Sequence, residues 1–103
     1  MTPEGRVKAQ VRKLLAEFGV WYYQPVQNGM GQVGIPDFIC CYRGVFIAIE
    51  TKAPGKIKDL TANQRRVLDQ IQANDGYALV IDDAEFLRET LNAIVVVEKL
   101  RGA

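Results

Sequence analysis

"DFICCYRGVFIAIETK", residues 37 to 52, holds two apolar runs, Asp37 to Tyr42 and Val45 to Lys52, around the pair Arg43-Gly44. Runs rich in β-branched and aromatic residues on either side of a two-residue turn predict a β-hairpin. With Arg43 and Gly44 at its tip, Tyr42 faces Val45, and each outward step keeps the sum of the residue numbers constant. That register sets Asp37 opposite Glu50. Opposed residues of an antiparallel pair share a face, with Cβ atoms about 5 Å apart. Lys52, two residues beyond Glu50, falls on the same face. A hairpin that is core-like from Phe46 to Ile49 thus ends in charges of both signs.

Two neighbouring carboxylates repel, and more strongly when partly buried. A divalent cation relieves the repulsion. Two carboxylates supplemented by main-chain and water oxygens suit Mg²⁺, which keeps several of its waters. No segment resembles a calcium-binding loop. The pattern is equally open to two carboxylates solvated at strand ends, or to a register displaced by one. The sequence contains no His, and its two cysteines, Cys40 and Cys41, are neighbours on a strand. Their side chains point to opposite faces, so they do not readily bridge each other, and a Cys/His zinc site is excluded. Both are expected as small buried hydrophobes.

Upstream, Thr2-Pro3 is a helix start, with a capping hydroxyl before a proline at the first helical position. Val7, Val11, Leu14, Leu15 and Phe18 recur at helical spacing, and Gly19 closes the helix. Val20 to Val26 predicts a strand, with Trp21, Tyr22 and Tyr23 either in the core or at an interface. "NGMGQVG", with three glycines in seven residues, is a loop, either closing over a ligand or simply connecting.

Downstream, "KAPGKIKD" is a basic loop. Thr61 opens a second helix with Val67, Leu68 and Ile71 on one face, ending near Asn74 to Gly76. Tyr77 to Ile81 is another buried strand. Asp82 or Asp83 caps a last helix through about Asn92, and the following "AIVVVEKL" fits either a strand or further helix. Ile94 to Val97 is therefore open to a core or an interface role. The order α-β-β-β-α-β plus a helix implies an α/β fold with a mixed sheet flanked by helices, in one domain spanning residues 1–103.

The composition, 49% hydrophobic and 24% charged, is that of an ordinary globular protein. No apolar stretch is long enough to cross a bilayer, and no secretory pattern opens the chain, so no membrane association and a cytoplasmic location are expected. The net charge is only +1, unevenly spread. From Lys52 to Arg66, five basic residues stand against Asp59, and from Asp82 to Glu98 five acidic residues stand against Arg88. This separation fits either a positive face for an anionic polymer or a solvated surface.

Two further residues bear on the hairpin site. Glu4 extends the apolar stripe of the first helix at its N-terminal end, where it either complements the helix dipole or faces the site. Gln64 completes a capping box with Thr61 but also shares a face with Val67, Leu68 and Ile71. Glu4, "GIPD" (Gly34 to Asp37), "IETK" (Ile49 to Lys52) and "TANQ" (Thr61 to Gln64) together resemble the PD-(D/E)xK nuclease superfamily. The resemblance is greatest to its minimal VRR-NUC domain, and the spacing is similar to that of archaeal-type Holliday junction resolvases. It covers the chain to about Asp83.

The resemblance implies a restriction-endonuclease-like αβββαβ core and a Mg²⁺-dependent DNA endonuclease, with Mn²⁺ as a substitute. Asp37, Glu50 and the Thr51 main-chain carbonyl would hold metal, with Glu4 binding directly or through water. Lys52 would orient the attacking water and stabilise the phosphate, and Gln64 would touch metal-bound water or DNA. Lys56, Lys58, Arg65 and Arg66, with Arg6, Lys8, Arg12 and Lys13, would contact the DNA backbone. Branched DNA such as a Holliday junction is the expected substrate. Two symmetric cuts would then require a twofold homodimer. Nicking of duplex, flap or single-stranded DNA is the alternative, and a non-catalytic DNA-binding module is a third.

Overall fold

The structure, a computed structural model, describes residues 1–26 and 31–102. Helix α1 (Pro3–Phe18) is followed by strands β1 (Trp21–Tyr23), β2 (Phe38–Tyr42) and β3 (Val45–Thr51). Helix α2 (Ala62–Ala73), strand β4 (Tyr77–Ile81) and helix α3 (Ala84–Gly102) complete the chain. The four strands form one sheet in the order β1-β2-β3-β4. The first two pairings are antiparallel, and β3 runs parallel to β4. A parallel pair needs a crossover, which α2 provides. The result is the expected mixed α/β sheet with flanking helices.

Strand alternation sorts the two faces. Phe38, Cys40, Tyr42, Ile47, Ile49 and Ile81 join Val7, Val11, Leu14 and Leu15 of α1 and Leu87, Leu91 and Ile94 of α3 in one apolar core. The opposite face receives α2, which packs on β4 and buries Val67 and Leu68. Small residues at the paired positions Ala48 and Ala78 leave room for that helix to approach.

The hairpin register is the one the turn predicts, from Tyr42↔Val45 out to Phe38↔Ile49. Arg43 (φ 51°) and Gly44 (φ 79°) both take left-handed backbone, the requirement of a type I′ turn. Helix α1 begins as expected, with the Thr2 hydroxyl accepting from the Gly5 N–H at 3.0 Å. It ends at left-handed Gly19, whose N–H donates to Ala16.

Several expectations are corrected, and several left open are decided. The first strand is only Trp21–Tyr23, because the Val20 N–H donates to Leu15 O and belongs to the end of α1. Beyond Tyr23, Pro25 has no N–H to offer a ladder. The segment 93–100 is helix, with Leu87, Leu91 and Ile94 at helical spacing on the core side, while Val96 and Val97 are exposed. Cys40 is buried as expected, but Cys41, on the other face of β2, is exposed. Tyr22 turns inward against Phe38, whereas Trp21 and Tyr23 face solvent. Of the glycine-rich segment, Asn28, Gly29 and Met30 lie outside the described residues.

Candidate active site

Three elements bring the charged residues together at one end of the sheet. Strand β3 delivers Glu50 and, just past its end, Lys52, whose N–H extends the ladder by donating to Ile81 O at 2.9 Å. Glu50 lies on the α2 face and is buried, 5% exposed. Asp37 stands one step before β2, so the hairpin ladder stops at Phe38↔Ile49 and Asp37 is not a formal partner of Glu50. The Asp37 carboxylate is instead held by Thr51. Its Oδ2 accepts from the Thr51 N–H at 2.9 Å and from the Thr51 hydroxyl at 2.6 Å. Besides the carbonyl role that the resemblance implies, Thr51 thus orients Asp37 through its amide and hydroxyl.

Gln64, from the first turn of α2, ties the other half of the site together. Its Oε1 accepts from Lys52 Nζ at 3.1 Å and its Nε2 donates to Glu50 Oε2 at 3.1 Å. An ammonium only donates and a carboxylate only accepts, so these partners fix which way the amide points. The same Oε1 accepts from the Thr61 N–H at 3.0 Å, and Thr61 Oγ1 accepts from the Gln64 N–H at 3.1 Å. The capping box and the site-facing role are therefore one arrangement. Lys52 Nζ also lies 3.9 Å from Glu50 Oε2.

Glu4 and Lys8 come from the N-terminal end of α1. Lys8 Nζ lies 3.5 Å from Glu4 Oε2 and 3.7 Å from Asp37 Oδ1, so an ammonium bridges the two carboxylates. Lys8, expected among the DNA contacts, is thus part of the carboxylate cluster. Its spacing of four residues from Glu4 was the available signal, because such pairs meet on a helix. Electrostatics confirm a shared field. The Glu50 carboxyl is pushed up from 4.5 to about 7, first by burial, then by Asp37, with Glu4 adding and Lys52 and Lys8 opposing.

Gly34, which opens "GIPD", has a packing role that the sequence does not reveal. It adopts φ 84°, and a Cβ there would lie 2.5 Å from the backbone carbonyl of Asn63 and 2.9 Å from Gln64 N. The chain leading to Asp37 is therefore pressed against the first turn of α2, where only glycine fits. This contact sets Asp37 and Gln64 relative to each other.

The other basic residues expected to contact DNA lie outside this cluster. Lys56 and Lys58 are exposed on the loop after β3, which is anchored where the Gly55 N–H donates to Asp82 Oδ2 at 2.9 Å. Asp83, not Asp82, caps α3, its Oδ1 accepting from the Glu85 N–H. On α2, Arg65 pairs with Asp69 at 3.7 Å and Arg66 bonds Asn63 at 3.3 Å, both on the exposed side. Arg6 is exposed at the start of α1, as is Lys13 further along, and Arg12 is half-buried.

The donor set fits a hard cation. Every candidate ligand is an oxygen, and the Lys8 ammonium already places positive charge between two carboxylates. Among the described residues, no group of three His, Cys, Asp or Glu side chains converges on one point. One or two carboxylates with waters are what Mg²⁺ ordinarily uses. A groove of about 830 Å³ lies elsewhere, lined by Ile39, Phe46, Ile71 and Tyr77 among others, and none of the charged site residues lines it. No helix among the described residues is long and apolar enough to cross a membrane.

Neither a protein-family model nor a curated protein matches the sequence. A solved structure described as a VRR_NUC domain does match. It superposes with a TM-score of 0.74 at 20% identity, over 89% of this chain and 97% of its own. The chain therefore has the fold of a VRR_NUC domain, a restriction-endonuclease-like α/β fold.

Proposed function

We propose that this chain is a Mg²⁺-dependent, structure-selective DNA endonuclease that hydrolyses phosphodiester bonds at Holliday junctions or related branched DNA. The observation that carries the reading is the convergence of Asp37, Glu50, Lys52 and Gln64 at one end of a VRR_NUC-like sheet. Burying Glu50 beside Asp37 works against stability, only partly offset by Lys52, and such placement is characteristic of functional sites.

Asp37, Glu50 and the Thr51 carbonyl would hold the ion, with Glu4 contributing directly or through water and Mn²⁺ able to substitute. Bound there, Mg²⁺ supplies a lowered water pKa and Lewis-acid neutralisation of the phosphate oxygens. Thr51 fixes the Asp37 carboxylate through Oδ2, while Oδ1 faces the Lys8 ammonium. Gln64 holds the Lys52 ammonium in place, where it orients the attacking water and balances charge developing on the phosphate. Lys56, Lys58, Arg65, Arg66 and Arg6 would bind backbone phosphates without reading bases, which suits recognition of DNA shape over sequence. Symmetric cutting of a junction calls for a twofold homodimer.

The test is incubation with labelled four-way junction, flap, nicked, linear duplex and single-stranded DNA, with Mg²⁺ or EDTA. Mg²⁺-dependent paired cuts in the junction are expected. Preferential cutting of a flap or single strand would overturn the junction preference, and absence of metal-dependent cutting would overturn the enzymatic role.

A further inference from the structure

We infer that Trp21 and Tyr23 form a stacking platform for unpaired nucleobases beside the active site, a role that rests on the nucleic-acid reading above. The pairing register puts them there. Trp21 is level with Cys41 and Phe46, and Tyr23 with Ile39 and Ala48. Tyr22, between them, turns into the core, so Trp21 and Tyr23 share the opposite sheet face with Phe46, Ala48 and Glu50. Helix α2 covers this face over β4, and among the described residues no helix packs on it at β1. Trp21 is 63% exposed, Tyr23 50% and Phe46 44%.

Ordinary strand dimensions put Tyr23 roughly 12 Å and Trp21 roughly 17 Å from Glu50 across the face. Where strands part at a branch point, a strand whose phosphate sits at the carboxylates would bring its unpaired bases a few nucleotides away over these rings. The two rings stand 6.0 Å apart and tilted by 58°, with small Cys41 beside Trp21, so their faces are not closed by stacking on each other. Cations stand at the active-site end of the strip, where Lys52 pairs with Glu50 and Lys8 with Asp37.

Bases within a duplex already stack on their neighbours, whereas splayed or single-stranded bases offer their faces to aromatic side chains. A second copy of the chain is a poorer fit to the same strip. Its three exposed rings present on the order of 300–400 Å², against about 800 Å² per partner in a stable protein interface.

Trp21 is the sole tryptophan in the chain, so its emission reports on this strip alone. The full chain in EDTA, where metal-dependent cutting cannot interfere, is titrated with a ten-nucleotide oligothymidylate and with a blunt hairpin duplex. Emission is followed together with anisotropy of the labelled DNA. The single strand should quench Trp21 strongly and the duplex little. Trp21→Ala or Tyr23→Ala should weaken single-strand binding about 5- to 150-fold, the range of base–aromatic stacking, while Trp21→Phe largely preserves it. Single-strand binding without quenching, equal quenching by duplex, or no effect of either alanine variant would overturn the platform. So would a concentration-dependent change in Trp21 emission without DNA that tracks dimerisation, which would assign the strip to a second copy. None of these readouts requires cleavage. A protein that cuts but shows no quenching refutes the platform alone, and one that is quenched but never cuts refutes only the nuclease.

Discussion

Replacing Glu50 with glutamine should make the metal-free protein more stable, and more so as pH rises. The Glu50 carboxyl titrates near 7 in the fold against an ordinary 4.5, chiefly through burial and the neighbouring Asp37. An acid raised in this way contributes stability that is complete below about 4.5 and is lost as pH climbs through about 7. Between those values the unfolded chain has released its proton and the native state still holds it, so raising the pH favours unfolding. At 1.36 kcal/mol per pKa unit, the raised Glu50 costs the fold roughly 3 kcal/mol at pH 8, where it is ionised, and less than about 1 kcal/mol at pH 5, where it stays protonated. Glutamine keeps the shape and can still accept from Gln64 Nε2, but never ionises. The gain of Glu50→Gln over wild type should therefore grow by roughly 2–3 kcal/mol from pH 5 to pH 8. In a domain of this size that is a Tm difference on the order of 10 °C. Thermal unfolding of both proteins in EDTA at the two pH values measures it. Saturating Mg²⁺ should raise the Tm of wild type at pH 8 and not that of the variant. A gain independent of pH, or a variant less stable at pH 8, would refute the claim that Glu50 is held at an electrostatic penalty.

Four other outcomes follow from the same geometry. Lys8→Ala removes the ammonium between Glu4 and Asp37, so Mn²⁺ affinity measured by electron paramagnetic resonance should rise about 3- to 10-fold, from loss of an ion pair of about 1 kcal/mol. Gly34→Ala forces a Cβ to 2.5 Å from the Asn63 backbone at φ 84°, and should lower unfolding free energy by at least about 2 kcal/mol in urea titration. Gln64→Ala should cost about 1 kcal/mol through loss of its side-chain bond from the Thr61 N–H and, by releasing Lys52, slow cutting roughly 10- to 100-fold in single-turnover assays. Iodoacetamide followed by mass spectrometry should modify exposed Cys41 and spare Cys40, whose thiol burial pushes up to about 12.

The hairpin was legible because its information is local. Arg43-Gly44 fixes the turn, the turn fixes the register, and the register carries Glu50 and Lys52 to the end of the sheet. The α1 start and the capping box of α2 were legible for the same reason. What the sequence left open depended on contacts between distant segments. Asp37 answers to Thr51, Gly34 is required by the backbone of Asn63, and Lys8 reaches Asp37 only because α1 starts beside the site end of the sheet. The same limit explains residues 93–100. Their apolar content suits a strand or a helix equally, and the core's demand for Leu91 and Ile94 on one side decides for helix. Trp21 and Tyr23 could not be separated from Tyr22 until strand alternation was tied to a particular core.

Single-turnover cutting of a labelled four-way junction by wild type, Asp37→Asn and Lys52→Ala, in Mg²⁺ and in EDTA, tests the assembled site most directly. Wild type should cut only with Mg²⁺. Both variants should fold and bind the junction yet cut at least about 100-fold more slowly, as expected on removing a metal ligand or a transition-state charge. Cutting that persists in EDTA, or that survives either substitution at the wild-type rate, would contradict it.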